Sequence, residues 1–247
     1  MDWGEFAWIV GAGAGTVVGG LSLLLLPRAP RPLLLDVLLG FTAGVMLAAT
    51  AFSLLVPALD RGTVAEVVTG LLAGAGLLAL VDWLIPHAHA RFPERHLHAA
   101  DWTRGTLLLT ALTIHNVPEG VAVGVAFAAG GSDLGVPIAI AIGLQNVPEG
   151  FVAAAPLVAA GMRRRSAAAI AAASGLVEPP AALAALAAFG LASALLPVGL
   201  GFAAGAMLYV VVDELIPESH TNGNERAATG ALVAGFALML ALDNAFG

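Results

Sequence analysis

The sequence predicts an all-α integral membrane protein with eight transmembrane helices, which form one polytopic domain over residues 1–247. Only 11% of the residues are charged and the mean hydropathy is +0.92, whereas soluble domains carry about 25% charge. Eight apolar runs approach the roughly 20 residues that a spanning helix needs. Because these runs are continuous Ala, Leu, Val and Gly rather than alternating patterns, they favour helices over a barrel. The runs lie near residues 6–26, 33–56, 64–86, 105–130, 134–160, 167–189, 192–216 and 227–246.

The basic residues predict the orientation of these helices. All ten are arginines, and nine of them fall in or next to the loops after the first, third, fifth and seventh runs. Only Arg61 follows the second run. Since positive charge accumulates on the cytoplasmic side, both termini are expected outside, and the acidic start "MDWGEFAW" does not resemble a signal peptide. The triplet 163–165 is explained as an orientation anchor, so no nucleic-acid partner is expected.

Two internal repeats join distant runs. "GFTAGVML" at 40–47 and "GFAAGAML" at 201–208 agree at six of eight positions. "VDWLIPHAH" at 81–89 and "VDELIPESH" at 212–220 agree at six of nine. These matches predict an inverted-repeat arrangement in which spans 1–3 and 6–8 flank the central spans 4 and 5. Such repeats, with a binding site near the membrane midplane between them, are typical of transporters.

The central pair of spans carries a third repeat, which is polar. "TIHNVPEG" at 113–120 lies in span 4 and "GLQNVPEG" at 143–150 lies in span 5. In each copy two polar residues are four positions apart and therefore share a helical face. These pairs are His115 with Glu119, and Gln145 with Glu149. The proline before each glutamate removes a helix hydrogen bond and is expected to leave a backbone carbonyl oxygen available beside the polar face.

The depth of the polar residues suggests a cation. At 1.5 Å per residue, the two motifs, Glu178 in span 6 and Met46 in span 2 all fall near the bilayer centre. A charge at that depth costs about 2.5–3.5 kcal/mol, and a bound divalent cation, or protons in its absence, would offset the cost of several carboxylates. The sequence contains no cysteine, which excludes thiolate ligands. The His, Glu, Gln and Asn side chains of the two motifs form a nitrogen-and-oxygen donor set, which suits Zn²⁺, Fe²⁺ or Mn²⁺.

With these motifs the chain resembles the ZIP (Zrt/Irt-like protein) family of divalent metal transporters, in its bacterial GufA-like branch. The resemblance implies uptake of a divalent transition metal toward the cytoplasm across the cell (inner) membrane, with zinc as the first candidate and cadmium, iron and manganese as others. It also implies metal ligands, and a second, adjacent metal position whose ligands include two asparagines. Many relatives with two metals have Asp where this chain has Asn146. The implied ligands are Met46, His115, Asn116, Glu119, Gln145, Asn146, Glu149 and Glu178.

The resemblance further implies a cytoplasmic exit route at the inner ends of spans 3 and 7, where the second repeat lies. Its candidate residues are Asp82, His87, His89, Asp213, Glu214, Glu218 and His220. The family is also described as moving spans 1, 4, 5 and 6 against the other four, often as a homodimer. The expected partners are therefore the transported metal ion, the lipid bilayer and a possible second copy of the chain, and no catalytic cofactor is expected.

Two other classes compete with a metal transporter. An intramembrane metal-dependent hydrolase would need three firm ligands and an activated water, yet the chain has no His-Glu-x-x-His motif and its only deep histidine is His115. A proton-coupled carrier of an organic solute would need an aromatic or arginine-lined pocket, yet the chain has one tyrosine and no deep arginine. Labile ligands such as Gln and Met suit an ion that must leave again, and a transporter is therefore favoured over an enzyme.

Overall fold

The computed structural model describes residues 2–25, 30–84, 101–159 and 161–246, and over these residues the chain is all-helical. The helices are α1 (Trp3–Ser22), α2 (Pro32–Ala48), α3 (Val56–Arg61), α4 (Val64–Leu84), α5 (Asp101–Ala159), α6 (Arg164–Gly175), α7 (Glu178–Leu191), α8 (Leu196–Val210), α9 (Ile216–Ser219) and α10 (Glu225–Phe246). Seven helical stretches among the described residues are long and apolar enough to cross a membrane.

Helix α5 is a hairpin rather than one rod. Its 59 residues would extend about 88 Å, nearly three times the hydrocarbon thickness of about 30 Å. The backbone leaves helical geometry at Gly131, with φ 55° and ψ −139°, a conformation open to glycine. The side chains of Glu119 and Gln145 are 26 positions apart but only 2.8 Å from each other, whereas a straight helix would separate them by about 39 Å. The first leg (101–130) and second leg (132–159) therefore run antiparallel.

Glycines let four pairs of helical legs touch through their backbones. These pairs are α1 with the second leg of α5, α2 with α10, α4 with α8, and the first leg of α5 with α7. In the α2–α10 pair, for example, Gly40 faces the carbonyl of Ala228 and Gly44 faces that of Leu232, with no room for a methyl group. In all four pairs, the residue numbers of the facing positions increase in the same direction along both helices. The paired helices therefore run parallel. This is the pattern that eight legs of alternating direction produce.

Two legs contain a π-helical segment just before a proline. Residues Ala49–Leu55 lie between α2 and α3, and Val211–Leu215 lie between α8 and α9. Pro57 and Pro217 follow within two residues. A proline cannot donate and its ring collides with the carbonyl four positions earlier, and the wider π turn accommodates both effects. The legs are consequently longer than the predicted spans 33–56 and 192–216, and reach Arg61 and Ser219.

The predicted run 167–189 lies within the helical stretch Arg164–Leu191, which a short turn interrupts. Helix α6 ends at Gly175, Leu176 and Val177 form a turn, and α7 begins at Glu178. Pro179 and Pro180 follow at once. Prolines are tolerated in the first turn of a helix because its N–H groups have no intrahelical partner there. The break therefore places Glu178 at the start of a half-helix, where a negative charge is favourable.

Both chain ends lie at the same end of the bundle as the α5 turn. Glu5 lies beside Gly131, and Arg61 lies beside Gly130. Helix α1 begins there with a capping box, in which Asp2 Oδ1 accepts from the N–H of Glu5 at 2.8 Å and Glu5 Oε2 accepts from the N–H of Asp2 at 3.0 Å. The last turn of α10 belongs to the same end, because its Asp243 accepts a hydrogen bond at 2.7 Å from Ser53, in the π-helical segment that precedes α3.

At the opposite end of the bundle, a buried carboxylate connects α2 to the loop before α10. Asp36, in the first turns of α2, is fully buried. Its two oxygens accept hydrogen bonds from the side-chain amides of Asn222 at 2.7 Å and Asn224 at 2.9 Å. The loop before α10 is thereby tied to the start of α2.

Candidate metal centre

The two motif copies meet where the legs of α5 face each other. The amide nitrogen of Gln145 donates to Glu119 Oε1 at 2.8 Å, and the Glu149 carboxyl lies beside that of Glu119. Glu119 and Gln145 are fully buried and Glu149 is 6% exposed. Two ionised carboxyl groups this close repel each other, and a divalent cation bound between them would offset that repulsion.

Two buried amide oxygens at this place have no hydrogen-bond partner among the described residues. They are Gln145 Oε1 and Asn146 Oδ1. A buried polar atom left without a partner costs about 1–3 kcal/mol, so such atoms are uncommon in native structures. Amide oxygens are also donors to divalent cations. Gln145 Oε1 belongs to the side chain that bonds to Glu119, and this combination is the chemistry expected of a cation site.

The remaining predicted ligands of this centre are placed by their helices. His115 lies one turn before Glu119 in the first leg of α5, and its side chain is outside the described part of the structure. Met46 is fully buried in α2, which packs against α5. Among the described side chains, no three His, Asp or Glu residues form a metal-binding group by themselves. A site here therefore depends on the amide oxygens, on Met46 and on His115.

For a second metal the resemblance implies Asn116, Asn146 and Glu178, with Glu119 and Glu149 bridging both ions, and of these Asn146 and Glu178 are hydrogen-bonded to each other. Glu178 is 2% exposed and both of its oxygens accept hydrogen bonds. The Asn146 amide nitrogen donates to Oε2 at 2.7 Å, and the Thr16 hydroxyl donates to Oε1 at 2.9 Å. The same Asn146 nitrogen donates to the backbone oxygen of Ala12 at 3.0 Å. This cluster joins α1, the second leg of α5 and α7.

The other asparagine of the motif also turns away from the first cluster. The Asn116 amide nitrogen lies 3.4 Å from the Ser174 hydroxyl of α6, and Ser174 in turn donates to the backbone oxygen of Ala171 at 2.8 Å. Thr16 and Ser174 were not predicted as site residues. The one signal that could have found Thr16 is a hydroxyl within the glycine-rich run "GAGAGTVVGG" of an otherwise apolar span.

Part of the predicted exit route clusters around Tyr209 of α8. Asp82 near the end of α4, together with Asp213 and Glu214 in the π segment, lies within electrostatic range of the tyrosine hydroxyl. Asp82 and Glu214 are half-buried and Asp213 is exposed. Glu214 is also within electrostatic range of Glu149.

The rest of the predicted exit route is not part of that group. Glu218 is exposed on α9. The Nδ1 atom of His220 lies 2.7 Å from the backbone oxygen of Ile216 and 2.9 Å from the Ser219 hydroxyl, so the ring closes the end of α9. His87 and His89 lie outside the described residues.

Comparison with known proteins gives one consistent result. A family model described as ZIP Zinc transporter matches residues 94–243. Zinc transporter ZIPB of Bordetella bronchiseptica is 43% identical, over 97% of this chain and 81% of the relative. Zinc transporter GufA of Myxococcus xanthus is 42% identical over 96% of both chains. The human Zinc transporter ZIP11 is 32% identical over 94% of both chains.

Proposed function

Because the chain belongs to the ZIP family of zinc transporters, and is therefore a transporter and not an enzyme, we propose that it takes up zinc toward the cytoplasm. Cadmium, iron and manganese are further candidate cargoes. The hydrolase alternative is set aside because the family consists of transporters. The proposal includes eight membrane crossings, with both termini outside the cell (inner) membrane. Homodimer formation remains a prediction from the family resemblance.

The proposed transport site is formed by Met46, His115, Glu119, Gln145 and Glu149. The observation that carries it is the direct contact of the two motif copies, in which Gln145 bonds to Glu119 and Glu149 lies beside it. Three polar side chains from two antiparallel legs converge at one buried point, where solvent offers no compensation for charge. A divalent cation compensates two carboxylates at once and accepts the amide oxygen of Gln145 as a further ligand.

The proposed path onward leads along α8 to the cytoplasmic end. Glu214 lies within electrostatic range of Glu149 and of Tyr209, around which Asp82 and Asp213 also lie. A released cation would therefore find carboxylates at successive steps. Each carboxylate lowers the electrostatic cost of leaving the deep site, because a cation near an opposite charge in a low-dielectric setting is stabilised.

Uptake of ⁶⁵Zn²⁺ by purified protein in liposomes tests this proposal. Glu149→Gln keeps the shape of the side chain but removes its charge, and we expect it to lose most of the uptake. Glu225→Gln is the matched control, since it makes the same exchange at an exposed position in the first turn of α10. Wild-type uptake by Glu149→Gln at equal protein density would refute the site, and no uptake by the wild type would refute the function.

A further inference from the structure

Two neutral side chains donate hydrogen bonds to the carboxylate of Glu178, which also lies within electrostatic range of Glu149. Glu178 Oε2 receives the Asn146 amide at 2.7 Å and its Oε1 receives the Thr16 hydroxyl at 2.9 Å. All three side chains are at least 98% buried. Hydrogen bonds to a carboxylate are about twice as strong as those between neutral groups, so this contact holds the three side chains in one arrangement.

The orientation of the Asn146 amide is determined by its neighbours. Its nitrogen lies near two acceptors, Glu178 Oε2 and the backbone oxygen of Ala12 at 3.0 Å. An amide nitrogen carries two hydrogens and no acceptor capacity, and here both hydrogens are used. The opposite orientation would bring Oδ1 against two other oxygens. The amide oxygen therefore cannot face Glu178, and the position between them is filled by N–H groups.

A second metal ion would need this same position. An ion bound by Asn146 and Glu178 must lie between the amide oxygen and the carboxylate, which is where the amide nitrogen now donates. Aspartate at position 146 would carry no hydrogens when ionised and would present two oxygens there. Asparagine presents its amide hydrogens to the carboxylate instead. Their partial positive charge takes the place that a metal ion would have beside Glu178.

We propose that Asn146 and Thr16 are positioning residues that hold Glu178 in place of a second metal ion, so that each chain binds one transported ion tightly. This inference rests on the proposed function, because it assumes that the first ion binds at Glu119, Gln145 and Glu149. Glu178 then serves to fasten α7 to α1 and to the second leg of α5. In this chain Asn146 and Glu178, which the resemblance implies as ligands of a second metal, connect three helices instead.

Calorimetric titration with Cd²⁺ alone, on detergent-solubilised full-length protein, measures the number of tight sites. We expect one equivalent for the wild type and two for Asn146→Asp. Glu178→Gln should keep one equivalent, with its Kd changed by less than about tenfold, equivalent to about 1.4 kcal/mol. This variant can fold, because its new amide can accept from Asn146 and donate to Thr16, whose hydroxyl does either.

Thr16→Val tests the positioning role, because it removes the hydroxyl and keeps the shape. We expect a lower thermal unfolding midpoint, restored by Thr16→Ser. Thr42→Val is the matched control, since the buried Thr42 hydroxyl has no hydrogen-bond partner among the described residues. An equal loss of thermal stability in Thr16→Val and Thr42→Val would overturn the role of Thr16.

The titration outcomes separate this inference from the proposed function. Two tight equivalents in the wild type, or only one in a folded Asn146→Asp, would overturn the inference that hydrogen bonds to Glu178 take the place of a second metal ion. Loss of the single tight equivalent in Glu178→Gln would make Glu178 a ligand and overturn it as well. If Asn146→Asp does not fold, the Glu178→Gln titration decides. No tight binding by the wild type would instead count against the proposed function.

Discussion

The contact between α1 and the second leg of α5 leaves no space for a methyl group at Gly15. An alanine Cβ at this position would lie 2.5 Å from the backbone oxygen of Gly143 and 2.8 Å from the Cβ of Asn146. Ordinary contact begins at 3.4 Å, so α1 must move away by about 0.9 Å to reach normal van der Waals separation. We therefore predict that Gly15→Ala displaces α1 from the cluster around Glu178.

The displacement is large enough to break both hydrogen bonds that α1 makes there. A shift of 0.9 Å along the bonds would lengthen the Thr16–Glu178 distance from 2.9 Å to at most about 3.8 Å and the Asn146–Ala12 distance from 3.0 Å to at most about 3.9 Å, which is beyond hydrogen-bonding range. A lost bond to a charged group costs about 1.5–3 kcal/mol and a neutral one about 1 kcal/mol, to which the strain of overpacking adds. The expected destabilisation is on the order of 3–5 kcal/mol, or a fall in Tm of about 10 °C.

Thermal unfolding in detergent, followed by the monodisperse fraction that survives heating, measures this effect. Gly11→Ala is the matched control, because it makes the same exchange in the same helix at an exposed position with no atom within 4 Å of the new Cβ. We expect Gly11→Ala to melt like the wild type. If Gly15→Ala melts with Gly11→Ala, the contact is more compliant than the structure implies and the reasoning is refuted.

The remaining predictions concern the deep site and its exit. His115→Ala and Glu149→Ala should each lose most of the zinc uptake in liposomes while expression is kept, because removing a buried carboxylate eases insertion; normal transport would contradict the ligand assignment. Asp213→Asn should lower maximal flux with little change in the Cd²⁺ affinity, whereas Glu214→Gln should lower both, since Glu214 lies within electrostatic range of Glu149; equal affinities would count against the proposed path. Metal loading should release protons from the Glu119–Glu149 contact, so that affinity weakens as pH falls. Titration in buffers of different ionisation enthalpy measures this release, and its absence would exclude a shared proton.

Hydrophobicity was sufficient to predict where the chain is helical and where α5 turns. The boundary predicted between 130 and 134 contains Gly131, at which the backbone reverses. The matching spacing of polar residues in the two motifs predicted that they share a site, and the structure brings Glu119 and Gln145 into contact. These features follow from composition and periodicity, which act locally along the chain.

Features that depend on packing between distant helices could not be predicted in the same way. The break at Leu176 and Val177 leaves the apolar pattern uninterrupted, and the prolines after Glu178 are compatible with a kink as well as with a new helix start. The π segment Ala49–Leu55 lies within a predicted apolar run, and the carboxylates of Val211–Leu215 do not indicate the helix type. The role of Thr16 depends on a partner 162 positions away, and no local pattern indicates which hydroxyl in a glycine-rich helix will meet a carboxylate.

Because α5 reverses at the single residue Gly131, the number of residues between the two motif copies determines how they face each other. Adding or deleting one residue between Glu119 and Gln145 would shift the second copy by about 1.5 Å along its axis and rotate it by about 100°. The amide of Gln145 would then point away from Glu119, while each leg would remain a perfectly good helix. The binding site therefore depends on the number of residues in this interval as well as on its side chains. Insertions or deletions that other connections tolerate should abolish transport here.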